Sequence, residues 1–270
     1  MKNLILFFLL LSNVIFGQDL IVQYKYEKQY SLKDTLKITE YDYLKISGNK
    51  SIFFSEGEYK SDSIINNSKQ KIDFKSLPDD RLGCIITKDL SKKEIVFYSN
   101  DFLENNFKYS ENPNFKFEIT DKKKNILGYD CTLAKTNYGG RDYNIYFTNQ
   151  IPIQEGPYKF FGLPGLILQV YDVERKHSFT AVGITKNKAY IQLDISKRKF
   201  VEITRQKYFI VRKNYESNPM QRLFELMNST QIYEKPDANG NMVNLIELNN
   251  RVQKSMIEQF KTQNKIEIKP

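Results

Sequence analysis

The chain contains one histidine, and this limits the catalytic chemistry that it could perform. Ser-His-Asp or Cys-His catalysis would have to use His177, which follows the charged run Glu174-Arg175-Lys176. Asp172 and Glu174 are close enough in sequence to join it at a metal ion. Without a helical His-Glu pattern, however, a set of ligands from one hairpin is weak evidence for a metal site. The pattern therefore predicts an exposed turn residue with no catalytic or metal-binding role.

The two cysteines, Cys84 and Cys131, carry the only thiols. Each lies on a predicted strand with apolar residues two positions away on both sides, so both are expected to face the same core. A disulfide between them and a pair of buried thiols are equally compatible with these surroundings. Cysteines without a cluster of histidines do not make a zinc site, and we predict no metal and no cofactor.

Arg141 directly follows the Gly139-Gly140 turn and is close in sequence to several tyrosines, among them Tyr143. A guanidinium among tyrosines can bind a carboxylate, a phosphate or the edge of a sugar ring, so Arg141 and Tyr143 are ligand candidates. The alternative, which the pattern favours, is an arginine whose stem lies over the surface of the sheet.

No nucleophile elbow, Walker loop or dinucleotide-binding fingerprint occurs in a suitable context. Asp and Glu together number 32, so a carboxylate pair for glycan hydrolysis is an open alternative. Sequence alone does not place such a pair across a cleft. We therefore predict a protein that is not an enzyme, with a carboxylate-dependent hydrolase as the alternative.

Alternating apolar and polar residues predict strands before residue 204, and helical periodicity appears only after it. Residues 61–78 are polar and are predicted to be an exposed loop. The predicted hairpins are 41–56, 82–98 and 126–148; the predicted single strands are 20–30, 115–119, 165–173, 177–185, 190–194 and 200–203; the predicted helices are 204–215, one that begins at Asn218-Pro219, and one near 245–260.

Antiparallel hairpins followed by helices define an α+β fold. We predict a curved, mostly antiparallel β-sheet, shaped like a half-barrel or bowl, with the C-terminal helices packed on or in it. No repeat or linker divides the chain, so residues 18–270 are predicted to form one domain. The outline resembles the half-barrels of periplasmic lipoprotein-carrier folds and the bowl-shaped N-terminal domain of one class of bacterial peptide-N-glycosidases.

Residues 1–17 have the pattern of a secretory signal peptide, with Lys2 before the apolar stretch 4–11 and a small, polar segment ending at Gly17. The apolar stretch is shorter than the roughly 20 residues of a membrane span, and no later segment is long enough. No cysteine follows it, so no lipid anchor is expected. The sequence predicts an exported protein, periplasmic or secreted, without a transmembrane segment in the mature chain.

The formal net charge is +9, but basic and acidic residues are interspersed. This distribution is typical of an evenly solvated surface, with anionic envelope partners as the alternative. Nucleic acid is not predicted as a partner, because the chain is expected to be exported and carries no nucleic-acid-binding motif.

The run Gly162-Leu163-Pro164-Gly165-Leu166-Ile167 predicts a rigid turn that enters a strand. Pro164 fixes its own φ, while Gly162 and Gly165 tolerate positive φ. A phosphate-binding loop is disfavoured, because proline removes an N–H donor and no Gly-Lys-Ser/Thr follows.

This run and the segments 126–131 and 146–148 closely resemble the signature of the GLPGLI family of exported Bacteroidetes proteins. The resemblance implies export and a structural role for the motif. The family has no established common activity, so the resemblance implies no catalytic residue.

The leading hypothesis is a non-catalytic binding or carrier module for an apolar, glycan or peptide ligand or for an envelope protein. The alternatives are the hydrolase and a structural scaffold. A solvent-open concave cavity lined with Phe and Tyr would support binding, and inward carboxylates flanking a cleft would favour the hydrolase. A plugged sheet with an exposed apolar patch would favour a protein partner.

Overall fold

The structure is a computed structural model that describes residues 19–33, 35–68, 73, 76–99, 106–186, 191 and 193–270. The predicted signal peptide, residues 1–17, lies outside these residues, as does Tyr190 of one predicted short strand. In the described ranges, no helix has the length and apolar character needed to cross a membrane.

One 12-stranded sheet runs through most of the chain in the order β12-β6-β5-β4-β3-β2-β1-β11-β10-β9-β8-β7. Its strands are β1 (Leu20–Gln29), β2 (Lys37–Ser47), β3 (Lys50–Ser55), β4 (Cys84–Asp89), β5 (Glu94–Ser99), β6 (Phe107–Glu111), β7 (Glu118–Ile126), β8 (Tyr129–Tyr138), β9 (Arg141–Thr148), β10 (Leu166–Asp172), β11 (His177–Thr185) and β12 (Val201–Glu202). The pairing is antiparallel except between β12 and β6, which is parallel.

The remaining elements are α1 (Glu56–Asn67), α2 (Arg205–Ser217), α3 (Gln221–Thr230), α4 (Leu245–Thr262) and a small hairpin of β13 (Glu234–Pro236) and β14 (Met242–Asn244). The predicted α+β class with a curved, open, mostly antiparallel sheet and C-terminal helices is confirmed.

The main core lies on the concave face of the sheet, where alternate residues of successive strands converge. Tyr24, Leu44, Phe53 and Ile86 are fully buried there. Because side chains alternate between the two faces of a strand, the period-2 pattern of aromatic and aliphatic residues is sufficient to build this face. β10 is buried on both faces, because apolar residues occupy both sides of the strand.

The predicted loop at 61–78 is wrong for its first part, because residues 61–67 are the second half of α1. The Ser55 hydroxyl caps this helix by accepting a hydrogen bond from the Glu58 N–H at 2.9 Å. Glu56 and Glu58 occupy the first turn, where negative charge is favourable. The polar composition that suggested a loop belongs to a surface helix.

Three strand predictions also differ from the structure. Phe115 and Phe117 of the predicted strand 115–119 lie in the connecting segment before β7. Their rings pack against the core and stack on each other with centroids 5.5 Å apart. No strand was predicted for β6. The described part of 190–194 is not a strand, although Ile191 is buried in a second apolar cluster.

Helix α2 and the residues after α4 fill part of the concave face. Tyr208 of α2 packs against the ring of Phe97 at 5.2 Å. Residues 263–270, here called the C-terminal segment, then follow the sheet, and the Ile268 N–H donates to the Gly139 carbonyl at 2.9 Å. The concave face is therefore mostly closed by the protein itself.

Candidate functional site

A cavity of about 180 Å³ remains between the concave face, α2, the end of α4 and the C-terminal segment. Lys28 of β1, the loop 80–83 and His177 of β11 form part of its wall. Aromatic rings form another part, from Tyr26, Phe97, Tyr158, Tyr208, Tyr215 and Phe260. The wall therefore combines flat apolar surfaces with polar and charged groups.

His177 is buried, with only 1% of its surface exposed, so the predicted exposed turn residue is wrong. It is the first residue of β11 and shares the inward face with Phe179, because the turn ends one residue earlier. Its backbone N–H donates to Asp172 Oδ1 at 2.7 Å. Its Nδ1 lies 2.8 Å from the hydroxyl of Tyr26.

The proton on the His177 ring is located by its surroundings. Burial lowers the pKa of His177 well below its usual value, and Arg141 and Lys28 lower it further, so the ring is neutral near pH 7. Burial raises the pKa of Tyr26, whose hydroxyl therefore keeps its proton and donates it to Nδ1. The ring proton is consequently on Nε2.

Arg141 is buried rather than spread over the surface of the sheet, so the predicted surface position is wrong. Its Nη1 lies 2.9 Å from Asp172 Oδ2, and its Nη2 donates to Asn264 Oδ1 at 2.7 Å. The Tyr143 hydroxyl donates to the Ile266 carbonyl at 3.1 Å. Both predicted ligand candidates thus hold the C-terminal segment, and neither lines the cavity.

Lys159 is a fully buried cation that the sequence did not single out. Its Nζ lies 2.6 Å from Glu111 and 2.6 Å from Glu267. It is surrounded by the rings of Phe97, Tyr109, Tyr138 and Tyr158. Burial alone would lower the pKa of Lys159, but these carboxylates and tyrosines hold it well above its usual value. The cluster anchors the C-terminal segment through Glu267.

The motif Gly162–Ile167 forms a turn that leads into β10, and none of its residues lines the cavity. Gly162 has a φ of 95°, and the Gly165 N–H donates to the Leu163 carbonyl at 2.7 Å.

The structure holds Cys84 and Cys131 as buried thiols. The disulfide stays a prediction, which mass spectrometry of the non-reduced protein tests directly.

A group of carboxyls lies behind the loop 80–83 that borders the cavity. Glu40 Oε2 accepts a hydrogen bond from the Arg81 N–H at 2.8 Å, and Asp80 Oδ1 accepts one from the Gly83 N–H at 3.0 Å. Among the described residues, the other oxygens of Glu40 and Asp80 and both oxygens of Asp42 are buried without a hydrogen-bond partner. Burial raises the pKa of Glu40 to about 7, and burial raises that of Asp42 well above its usual value.

These carboxyls predict a loss of stability as the pH rises. Because the folded protein binds the Glu40 proton more tightly than the unfolded chain, this stabilisation is complete below the usual pKa of 4.5 and is lost as the pH rises through about 7. Glu40→Gln keeps an acceptor for Arg81 but has no proton to lose. Between about pH 5 and about pH 8, we expect its free energy of unfolding to fall by about 2 to 3 kcal/mol less than that of the wild type. Denaturant titrations across this range measure the difference.

The control for this prediction is Glu118→Gln, at an exposed carboxylate of β7. His177, with its lowered pKa, changes stability in the opposite sense at the acid end, and comparing each variant with the wild type removes that contribution. Equal pH dependence in Glu40→Gln and the wild type would contradict the assignment.

No metal centre is formed by the described part of the chain, where no group of three or more His, Cys, Asp or Glu residues could hold an ion.

The fold and the cavity define an open, bowl-shaped α+β domain with a small site of polar and aromatic residues. Residues 110–208 match the family described as N-glycanase peptide, N-terminal domain. Two crystal forms of PNGF-II are similar in structure, each with a TM-score of 0.50 and 18% identity, covering 71% of this chain and 32% of PNGF-II. The chain thus spans about a third of that protein, and the likeness shows a common fold.

A putative outer membrane lipoprotein-sorting protein domain from Vibrio parahaemolyticus matches with a TM-score of 0.25 and 7% identity, covering 68% of this chain and 91% of that domain. This score is too low to establish a common fold. No curated protein matches the sequence.

Proposed function

We propose that this protein is an exported, non-catalytic binding module that takes one sugar-sized or amino-acid-sized group of an envelope glycan or peptide into its cavity. The observation that carries the proposal is the composition of the wall, where tyrosine rings stand beside buried polar groups such as His177 and Asn264. Aromatic faces stack on sugar rings and apolar side chains, while a few placed polar groups orient the ligand.

The size of the cavity favours a small group over a lipid chain. Sites for drug-sized ligands measure about 300 to 1,000 Å³, and this cavity is about 180 Å³. The adjoining concave face is filled by buried residues such as Phe160 and Phe179. Of the ligands that the sequence left open, an apolar chain therefore has the least support.

Two of the three carboxyl residues on the wall, Glu267 and Glu216, are held in ion pairs, and this favours binding over hydrolysis. The third, Asp80, accepts a hydrogen bond from the Gly83 N–H. Glu267 is held by Lys159 and Arg205, and Glu216 pairs with Arg212 at 3.0 Å. A hydrolase needs one carboxyl that can give up a proton and a second that faces the reacting bond. Ion-paired carboxylates serve the fold instead.

The match of residues 110–208 to an N-glycanase N-terminal domain supports a glycan or glycopeptide as the ligand. The predicted signal peptide supports export to the cell envelope or the medium, where such ligands occur.

Filling the cavity should abolish binding. Leu82 is half-buried on the cavity wall, and we expect Leu82→Trp to lower affinity for a bound glycan or peptide by about tenfold or more, because the indole takes the ligand's volume. Screening of envelope glycans and peptides, followed by ligand-observed NMR, supplies the measurement.

Leu90→Trp is the matched control, since Leu90 is also half-buried against the core but is not on the cavity wall. Thermal melts verify that both variants fold. The proposal fails if no glycan or peptide binds, or if Leu82→Trp binds as well as Leu90→Trp.

A further inference from the structure

We infer that the cavity contains a subsite for a carboxylate group, formed by the Nε2–H of His177, the Nδ2–H of Asn264 and the ammonium of Lys28. This inference rests on the proposed binding function and names the ligand group that the cavity recognises. All three residues line the cavity.

The two neutral donors are buried and lack acceptors. His177 and Asn264 are each 1% exposed, and in the described residues neither His177 Nε2 nor Asn264 Nδ2 makes a hydrogen bond of normal geometry. The Asn264 side chain and the Lys265 backbone interact with the imidazole and raise the pKa of His177 against the effect of burial, although neither is in normal hydrogen-bond geometry with Nε2. Buried donors without acceptors are unfavourable, so a ligand that supplies an acceptor gains affinity from both.

The identity of each donor is fixed by the contact on its other side. Arg141 Nη2 donates to Asn264 Oδ1 at 2.7 Å, so the remaining amide atom is the NH₂ group. The Tyr26 hydroxyl donates to His177 Nδ1, so the ring proton is on Nε2. Neither group can turn into an acceptor without breaking a buried hydrogen bond.

Lys28 supplies the charge. Its Nζ donates to the Arg81 carbonyl at 3.2 Å, which leaves further N–H groups of the ammonium for a ligand. Burial lowers the pKa of Lys28, and Arg212 and Arg81 lower it further, while Glu40 and Asp80 raise it. The net effect is a lowered pKa, so a bound anion stabilises the ammonium.

A carboxylate fits these groups better than a neutral hydroxyl or a phosphate. Its oxygens accept from several donors at once, and charge-assisted hydrogen bonds are the stronger kind. A phosphate would bring a second negative charge towards Asp80, which lies on the same wall and forms no ion pair with another described residue. A ligand group with a single negative charge therefore suits the subsite best.

A carboxylate of this size has two sources in the envelope, an acidic sugar and the C-terminus of a peptide. Ligand-observed NMR titration with glucuronic acid and glucose tests the first, and N-acetylglycine and N-acetylglycinamide test the second. We expect roughly millimolar binding of at least one acid and about tenfold weaker binding of its neutral counterpart. The pair that shows the preference identifies the source.

Variants test the assigned groups. Asn264→Asp keeps an oxygen for Arg141 but replaces the NH₂ donor with a carboxylate oxygen, and His177→Asn keeps an acceptor for Tyr26 but removes the outer donor. We expect each to weaken binding of the acid by about tenfold or more, and Lys28→Met to do the same. Lys25→Met is the control, because Lys25 lies on the same strand, is paired with Glu27 at 2.9 Å and is not on the cavity wall.

The outcomes separate this inference from the proposed function. Equal binding of acid and neutral probes, both abolished by Leu82→Trp, overturns the carboxylate subsite and leaves the binding function intact. Acid binding that Asn264→Asp does not weaken, in a variant with a normal thermal melt, also overturns the subsite. Absence of binding by any probe or library member overturns both.

Discussion

Replacing Gly165 with valine should lower the free energy of unfolding by about 4 kcal/mol or more, enough to leave much of the protein unfolded. A Cβ atom built on Gly165 would lie 2.0 Å from the carbonyl oxygen of Thr148, and the residue has a φ of 153°. Leu166 pairs with Thr148, so the clash falls where β10 joins β9. The backbone of β9 would have to move to make room.

Glycine-to-alanine variants separate the clash from the backbone preference. Gly128 also has a positive φ, 83°, but a Cβ atom placed on it would meet no atom within 4 Å, so Gly128→Ala should lose only about 1 kcal/mol. Gly165→Ala should lose most of what the valine variant loses. Denaturant titration measures all three, and a Gly165→Val variant with full stability but without ligand binding would make the motif a binding site instead of a structural turn.

Replacing Lys159 with methionine should destabilise the protein by about 3 to 5 kcal/mol. Methionine preserves most of the side-chain volume, but it leaves Glu267, which is 4% exposed, with Arg205 as its one cationic partner among the described residues. Lys159 and Arg205 together hold the pKa of Glu267 below its usual value despite the burial that would raise it. Removal of one cation should therefore raise that pKa and release the C-terminal segment.

Two further variants make this prediction specific. Adding Glu267→Gln to Lys159→Met should recover part of the loss, because the uncompensated buried charge is removed. Lys135→Met, at an exposed lysine 3.8 Å from Glu118, should change stability by less than about 1 kcal/mol. Wild-type stability in Lys159→Met would show that the buried ion pairs contribute nothing to the fold.

The sequence predicted those features that depend on neighbouring residues. Alternation in 20–30 located β1, apolar residues on both faces of 165–173 located β10, and the turn at Gly139-Gly140 located the β8–β9 hairpin. The helix predicted over 204–215 corresponds to α2, which the Thr204 hydroxyl caps by accepting from the Lys207 N–H at 3.2 Å. A run of such hairpins followed by helices was sufficient for the fold class.

The candidate site was missed because its contacts join distant parts of the chain. His177 looked solvated beside Glu174, Arg175 and Lys176, and only the register of β1 with β11 shows that it turns inward towards Tyr26. Arg141 looked like a surface residue because Asn264 lies 123 positions away. A polar residue beside charged residues in the sequence is exposed only if the folded chain does not bring it a hydrogen-bond or ion-pair partner in the interior.

The distance between these contacts also sets the order of folding. Tyr158 donates to Glu267 across 109 positions, so in a nascent chain the neighbouring Lys159 can pair with Glu111 but gains its second carboxylate only when residue 267 has been made. Contacts so far apart in sequence close slowly. We therefore expect the C-terminal segment to dock onto the sheet after the strands that it contacts have formed.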